Sequence, residues 1–210
     1  MKNWLEDLKL YLITDRKIYK TQCALYFALE DALNEGVKAV QLREKDLPVR
    51  KLLEMAHWMR ELTGEYGAKL LINDRVDVAL SVGADGVHLG QKSIPPYAVR
   101  KVARNKLLIG SSAHSLTEAL KAEREGADFI TLGPVYETPS KLSYGHPVGV
   151  ETLRTVKLDL RIPVLAIGGI KPDRVREVRE AGADGVALIS AILAAENVKD
   201  AARNFVRLVK

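Results

Sequence analysis

The chain has 210 residues, 47% hydrophobic and 28% charged, which supplies a substantial core and shows no compositional sign of disorder. Lys and Arg number 32 against 27 Asp and Glu, but basic runs such as KPDRVREVRE mix both signs at helical spacing and aromatics are only 6%, which argues against a nucleic-acid surface. A single cysteine, Cys23, excludes an internal disulfide framework and a multi-cysteine metal site, and no apolar run approaches the ~20 residues that span a bilayer.

In chain order the first strand is LYLITD (10–15), followed by a helix in CALYFALEDALNEG on which Cys23 is expected to be a small buried side chain. A second strand lies in NEGVKAVQLRE (34–44), then a helix in VRKLLEMAHWMRELTGEYG, a strand in KLLIND (69–74) and a short helix in VDVALSVG. SVGADGVHLGQ (81–91) carries the fourth strand, PPYAVRKVAR a helix, KLLIGSS (106–112) the fifth strand and SLTEALKAEREG a helix. REGADFITLGP (124–134) holds the sixth strand, and the irregular YETPSKLSYGHPVG (136–149) is a candidate lid. The helix VETLRTVK, the strand IPVLAIGG (162–169), the helix PDRVREVREAG, the strand in EAGADGVALIS (180–190) and the helix AARNFVRLVK complete the chain.

Four of these segments repeat one pattern, with Gly36, Gly83, Gly126 and Gly182 where a helix end needs a left-handed residue. Eight apolar strands alternating with helices predict a parallel sheet closed as a single (β/α)8 TIM barrel over residues 1–210, with its active site at the C-terminal ends of the strands. An open doubly wound sheet is the other arrangement with this element order. It lacks support at the first turn, because ITDRKIYK carries no glycine-rich dinucleotide fingerprint. The N-terminus has no basic segment followed by a long apolar core, so a cytoplasmic location is expected. No membrane partner is expected, and a homo-oligomer is compatible with the sequence.

The strand ends are polar. Alternation puts Gln41, Arg43 and Lys45 on one face, with Leu42 and Glu44 on the other. Two cations at a barrel mouth suit a polyanion. The competing reading is an ion-pair cluster with Glu44 or Asp46. Asp74 is the strand-terminal acid facing the cluster, and with a diphosphate present it would ligate Mg²⁺, which takes one or two carboxylates, waters and phosphate oxygens. Glycines and small residues after the seventh and eighth strands, with Ser190, and the Thr138/Ser140 hydroxyls suggest a second, backbone-lined anion site. His88 and His114 stand alone, without a partner at catalytic spacing, and read as packing or hydrogen-bonding residues.

QLREK, IND, GVHLGQ, GSSAH, ADFITLGPVYETPSK, AIGGI and GADGVALISAI, in that order, make the chain resemble the thiamine phosphate synthase and thiazole tautomerase family over nearly its whole length. The resemblance implies a transferase that joins 4-amino-2-methyl-5-(diphosphooxymethyl)pyrimidine to hydroxyethylthiazole phosphate and releases diphosphate. It implies that Gln41, Leu42, Arg43, Glu44, Lys45, Asn73, Ser112 and Lys141 hold the pyrimidine diphosphate. Thr138, Pro139, Ser140, Gly169, Ile189 and Ser190 would hold the thiazole phosphate. Arg43, Lys45 and Lys141 would be catalytic, and Asp74 with Ser93 would bind Mg²⁺. Ser93 departs from the family pattern, which places a second metal-binding aspartate there. The alternatives are a thiazole tautomerase, disfavoured by retention of the diphosphate motifs and by Pro134 where one type of tautomerase carries a histidine, and a phosphate-binding barrel without turnover.

Overall fold

A computed structural model describes residues 4–138 and 146–210. Eight parallel strands close a barrel in chain order: β1 (Leu10–Ile13), β2 (Ala39–Leu42), β3 (Lys69–Asn73), β4 (Gly86–Leu89), β5 (Leu108–Ala113), β6 (Phe129–Leu132), β7 (Val164–Ile167) and β8 (Gly185–Leu188). The seam is the β1–β8 pairing, Leu10 with Val186 through Leu12 with Leu188, which rules out the open sheet. The helices are α1 (Trp4–Leu8), α2 (Gln22–Asn34), α3 (Val49–Glu65), α4 (Val76–Ser81), α5 (Pro96–Ala103), α6 (Leu116–Arg124), α7 (Gly149–Asp159), α8 (Val175–Glu180), α9 (Ser190–Leu193) and α10 (Val198–Val209). None is long and apolar enough to cross a membrane.

Strand alternation sorts the side chains into two cores. Leu12, Val40, Leu42, Leu70, Ile72, Val87 and their counterparts face outward against the helices. Tyr11, Ile13, Ala39, Leu71, Phe129, Leu165 and Ala187 face the barrel axis and fill its lower half. The sequence reading missed α1. Its Leu8 is fully buried and its Trp4 stacks 6.3 Å from Phe129, so this short helix stoppers the N-terminal end of the barrel. Cys23 corrects an expectation: it is exposed, because the buried stripe of α2 is Leu25, Ala28, Leu29, Ala32 and Leu33 and Cys23 lies off it.

The repeated segments acquire a structural reason. The four glycines all have positive φ, as helix-terminating turns require. Two residues after three of them stand Asp85, Asp128 and Asp184, each tying the start of the preceding strand to the helix before it. Asp85 accepts from Leu70 N at 2.9 Å, Arg60 at 2.7 Å and Lys69 at 2.8 Å. Asp128 accepts from Ile109 N at 2.7 Å and Arg100 at 2.8 Å, and Asp184 from Val164 N at 2.8 Å and Lys157 at 2.6 Å. Burial alone would raise the Asp85 carboxyl, but the bonds from Lys69, Leu70 N–H and Arg60 outweigh it and hold its pKa below the usual carboxylate value. The first repeat has Lys38 at this place, and it donates instead to the Tyr66 carbonyl at 2.7 Å.

These latches sit at the end of the barrel opposite the mouth. Asp184→Ala leaves the Val164 amide and the Lys157 ammonium unpaired, and is expected to lower unfolding free energy by about 2 kcal/mol. Urea denaturation checks this through a lower midpoint at unchanged slope.

Candidate active site

Above the apolar plug the barrel axis turns polar. Gln41 donates from Nε2 to Asn73 Oδ1 at 3.2 Å, and His88 Nε2 lies 3.1 Å from Ser112 Oγ and 3.3 Å from Thr131 Oγ1. Gln41 Oε1, His88 Nδ1 and Tyr11 Oη are buried without a hydrogen-bond partner among the described residues, which leaves unmet polar capacity in the floor. Burial, then the Arg43 and Lys45 charges, push His88 down to about 3, so its imidazole is neutral at physiological pH. His114 is different: it is exposed and bonds Glu118 at 3.0 Å.

The turn after β2 is built on Glu44. This buried carboxylate accepts from Thr14 Oγ1 at 2.8 Å and from Arg16 N at 2.9 Å, while Thr14 Oγ1 accepts from Arg43 N at 2.9 Å. Burial raises the Glu44 pKa, and the Thr14 and Arg16 bonds oppose the rise. Leu42 is fully buried against the helices. Both side chains therefore point away from the mouth, as alternation predicts, and Glu44 holds the turn that presents Arg43 and Lys45. The ion-pair reading does not apply to those two cations. Arg16 and Lys17 occupy Asp46 at 2.8 and 3.2 Å, and Arg43 and Lys45 make no salt bridge among the described residues. Sequence reasoning missed Thr14 and Arg16. The signal was a threonine at the end of the first strand, with no carboxylate partner recognisable in one dimension.

Asp74 leaves β3 with φ 66, a left-handed conformation that is costly for a residue with a Cβ, and its amide donates to the His88 carbonyl at 2.9 Å. The next strand end is the turn Gly90–Ser93, closed by Gly90 N to Ser93 Oγ at 2.8 Å and pinned to β5 by Gln91, which donates to the Ser112 carbonyl. Burial, then the Arg43 charge, depress the Lys45 ammonium; Asp74 opposes this and Lys92 adds to it, so these four charges share one corner. As a metal site the corner is sparse. Among the described residues no three His, Cys, Asp or Glu side chains converge, Asp74 supplies one carboxylate, and the Ser93 hydroxyl already accepts from Gly90. Such a donor set fits Mg²⁺ only when phosphate oxygens and water complete the shell.

Across the mouth, β7 runs into Gly168 and Gly169, with φ of 96 and 66. A Cβ on Gly168 would lie 2.5 Å from Pro134 Cβ, and one on Gly169 2.6 Å from the Glu137 carbonyl oxygen, so only glycine lets the loop after β6 pack this closely. Tyr136 fastens that loop: its hydroxyl donates to Glu177 at 2.6 Å and its ring lies 4.4 Å under the Arg174 guanidinium, which donates to the Gly169 carbonyl. Burial and then Glu177 push the Tyr136 phenol up to about 12. Ile189 packs against the interior cluster, and Ser190 opens the short helix α9 directly after β8. Thr138 ends the described stretch, and Pro139, Ser140 and Lys141 lie outside the described residues.

The closed parallel barrel, with a polar floor, unpaired cations after β2 and a glycine-lined turn after β7, has the architecture of a (β/α)8 enzyme. Comparison narrows this. The family model described as thiamine monophosphate synthase matches residues 10–192. A putative thiamine-phosphate synthase of Geobacter sulfurreducens is 52% identical, covering 97% of this chain and 95% of its own. A thiamine-phosphate synthase of Clostridium acetobutylicum is 43% identical, covering 100% and 98%. The structure of a thiamine phosphate pyrophosphorylase from Pyrococcus furiosus superposes with a TM-score of 0.90 at 42% identity, covering 99% and 98%. The chain belongs to the thiamine monophosphate synthase family.

Two outcomes follow for the floor and the turn. An unfolded imidazole titrates near 6.5 and the folded His88 near 3, so the unfolded chain binds more protons between those values and stability falls as pH drops through that window. The His88 contribution amounts to roughly 3 kcal/mol by pH 4.5, and thermal melts of His88→Gln are expected to show a shallower dependence on pH between 7 and 4.5. Glu44→Ala frees Thr14 and the turn, and is expected to raise the KM for an anionic substrate several-fold more than it lowers kcat, as steady-state kinetics would show.

Proposed function

We propose that the chain is a thiamine-phosphate synthase, a transferase that condenses 4-amino-2-methyl-5-(diphosphooxymethyl)pyrimidine with hydroxyethylthiazole phosphate. The observation that carries this reading is that the unpaired cations after β2 and the glycine turn after β7 lie on the same rim of the barrel, above one polar floor. The Gln41 carboxamide oxygen, unpaired in the floor, is an acceptor for the pyrimidine amino group, with Asn73 and Ser112 beside it. Arg43 and Lys45, joined by Lys141, receive the diphosphate. Asp74, and Ser93 through its remaining lone pair, would hold Mg²⁺ together with phosphate oxygens, and bound there it would supply Lewis-acid stabilisation of the leaving group. Gly169, Ile189 and Ser190, with Thr138, Pro139 and Ser140, receive the thiazole phosphate on backbone amides and hydroxyls.

The bond between the pyrimidine methylene carbon and the diphosphate oxygen breaks, and its electron pair leaves with diphosphate. The thiazole nitrogen lone pair then forms the new C–N bond. No proton moves, so no base is needed, and Arg43, Lys45 and Lys141 act by stabilising the charge that develops on the leaving oxygens. A neutral His88 suits a floor beneath a cationic pyrimidine methylene. The arrangement disfavours an isomerase: His88 is buried with Nε2 engaged, and His114 is exposed and tied to Glu118.

Purified protein given both substrates and Mg²⁺ is expected to release thiamine phosphate and diphosphate in equal amounts, and Arg43→Ala to lose about 10²- to 10³-fold in kcat/KM. Neither product forming, or solvent deuterium entering a thiazole carboxylate phosphate instead, would overturn the reading.

A further inference from the structure

The acids around the cationic corner are already committed elsewhere. Asp46 takes Arg16 and Lys17, Glu44 takes Thr14 and Arg16, and Asp77 takes Arg75. Arg43, Lys45 and Lys92 are left with no salt bridge among the described residues, and among these Asp74 is the one carboxylate whose charge acts on Lys45. Counted over the described residues, three cations and one anion give this corner an excess of two positive charges, which is unfavourable unless an anion completes it.

Lys92 is held at its place in this corner. β3 and β4 are paired through Asn73 and His88, and the Asp74 amide bonds the His88 carbonyl, so the two strand ends leave side by side. Lys92 then sits in a turn closed twice between Gly90 and Ser93 and anchored to β5 by Gln91. A lysine on a turn fixed at three points loses little further freedom on binding an anion, unlike one on a free loop. The same turn explains why Ser93 is a poor metal ligand: its hydroxyl serves the Gly90 amide.

We propose that Lys92 is the third cation of a diphosphate clamp with Arg43 and Lys45, and that this clamp holds diphosphate without a divalent cation. The proposal rests on the mouth being a diphosphate site, though not on turnover. Charge that a second carboxylate and its metal would otherwise bring to the leaving group is brought here directly by an ammonium, so Mg²⁺ strengthens diphosphate binding only modestly and free protein has little affinity for Mg²⁺ by itself.

Titration calorimetry with inorganic diphosphate, at low ionic strength and in the presence of a chelator, tests this. Wild-type protein is expected to bind, Lys92→Ala and Lys92→Gln to bind about tenfold more weakly, and Lys101→Ala, on the exposed face of α5, to match wild type. Ser93→Asp is expected to bind less diphosphate under chelation and to regain affinity when Mg²⁺ is added. Circular dichroism confirms that the exposed-turn variants are folded. Equal affinity of wild type and Lys92→Ala, or wild-type binding that appears only with Mg²⁺, would overturn the proposal. An active synthase with either result would overturn this inference alone, whereas absent turnover with intact, Lys92-dependent diphosphate binding would overturn the synthase reading and support the clamp.

Discussion

The hydrogen-bonded seam between β1 and β8 is the constraint on which the rest of the molecule depends. A parallel sheet that closes on itself must deliver all its C-terminal strand ends to one rim. Gln41 and Arg43 from β2, Asp74 from β3, Lys92 from the turn after β4, Ser112 from β5 and Gly169 from β7 are scattered over more than half the chain, yet closure sets them around one opening. The opposite rim is then free to serve stability. It carries the α1 stopper and the three aspartate latches, each satisfying a strand amide and a helix cation with one carboxylate.

Function and stability are divided along the barrel axis as well as around it. The lower interior is apolar and packed by Tyr11, Phe129, Leu71 and Leu165, while the upper interior holds Gln41, Asn73, His88, Ser112 and Thr131. Low dielectric under the mouth makes each polar contact there stronger and each unpaired atom costly. Gln41 Oε1 and His88 Nδ1 are unpaired among the described residues of that region, so the floor keeps polar capacity that the barrel itself does not use. The Glu44, Thr14 and Arg16 network performs the same service for charge. It spends a buried carboxylate on backbone geometry, and so keeps that carboxylate from neutralising the cations it presents.

Much of this was legible in one dimension. The eight apolar runs, the glycines that end helices and the alternation within QLREK follow from local sterics and a side-chain period of two, and the strands fall where that pattern predicts, with ends that differ by a few residues; β5 runs one residue past its predicted end, to Ala113. Leu42 and Glu44 were correctly assigned to the face opposite Gln41 and Arg43. Their place in a substrate-binding set came from family resemblance. Cys23 was misplaced because the usual burial of cysteine was given more weight than its position off the buried stripe of α2, and α1 was missed because five residues are too few to establish a period.

The sequence by itself determined the element order, the strand-end chemistry and the family, because these depend on local periodicity, on residue type and on motifs in fixed succession. Only the tertiary structure decided which charges meet. Whether Asp46 neutralises Lys45 or Arg16, whether Asp85 belongs to a site or to a latch, and whether Lys92 comes within electrostatic reach of Lys45 are questions of distance between segments far apart in the chain. Electrostatic energy falls with that distance, so pairing, and with it the free positive charge of the mouth, had to wait for the barrel to close.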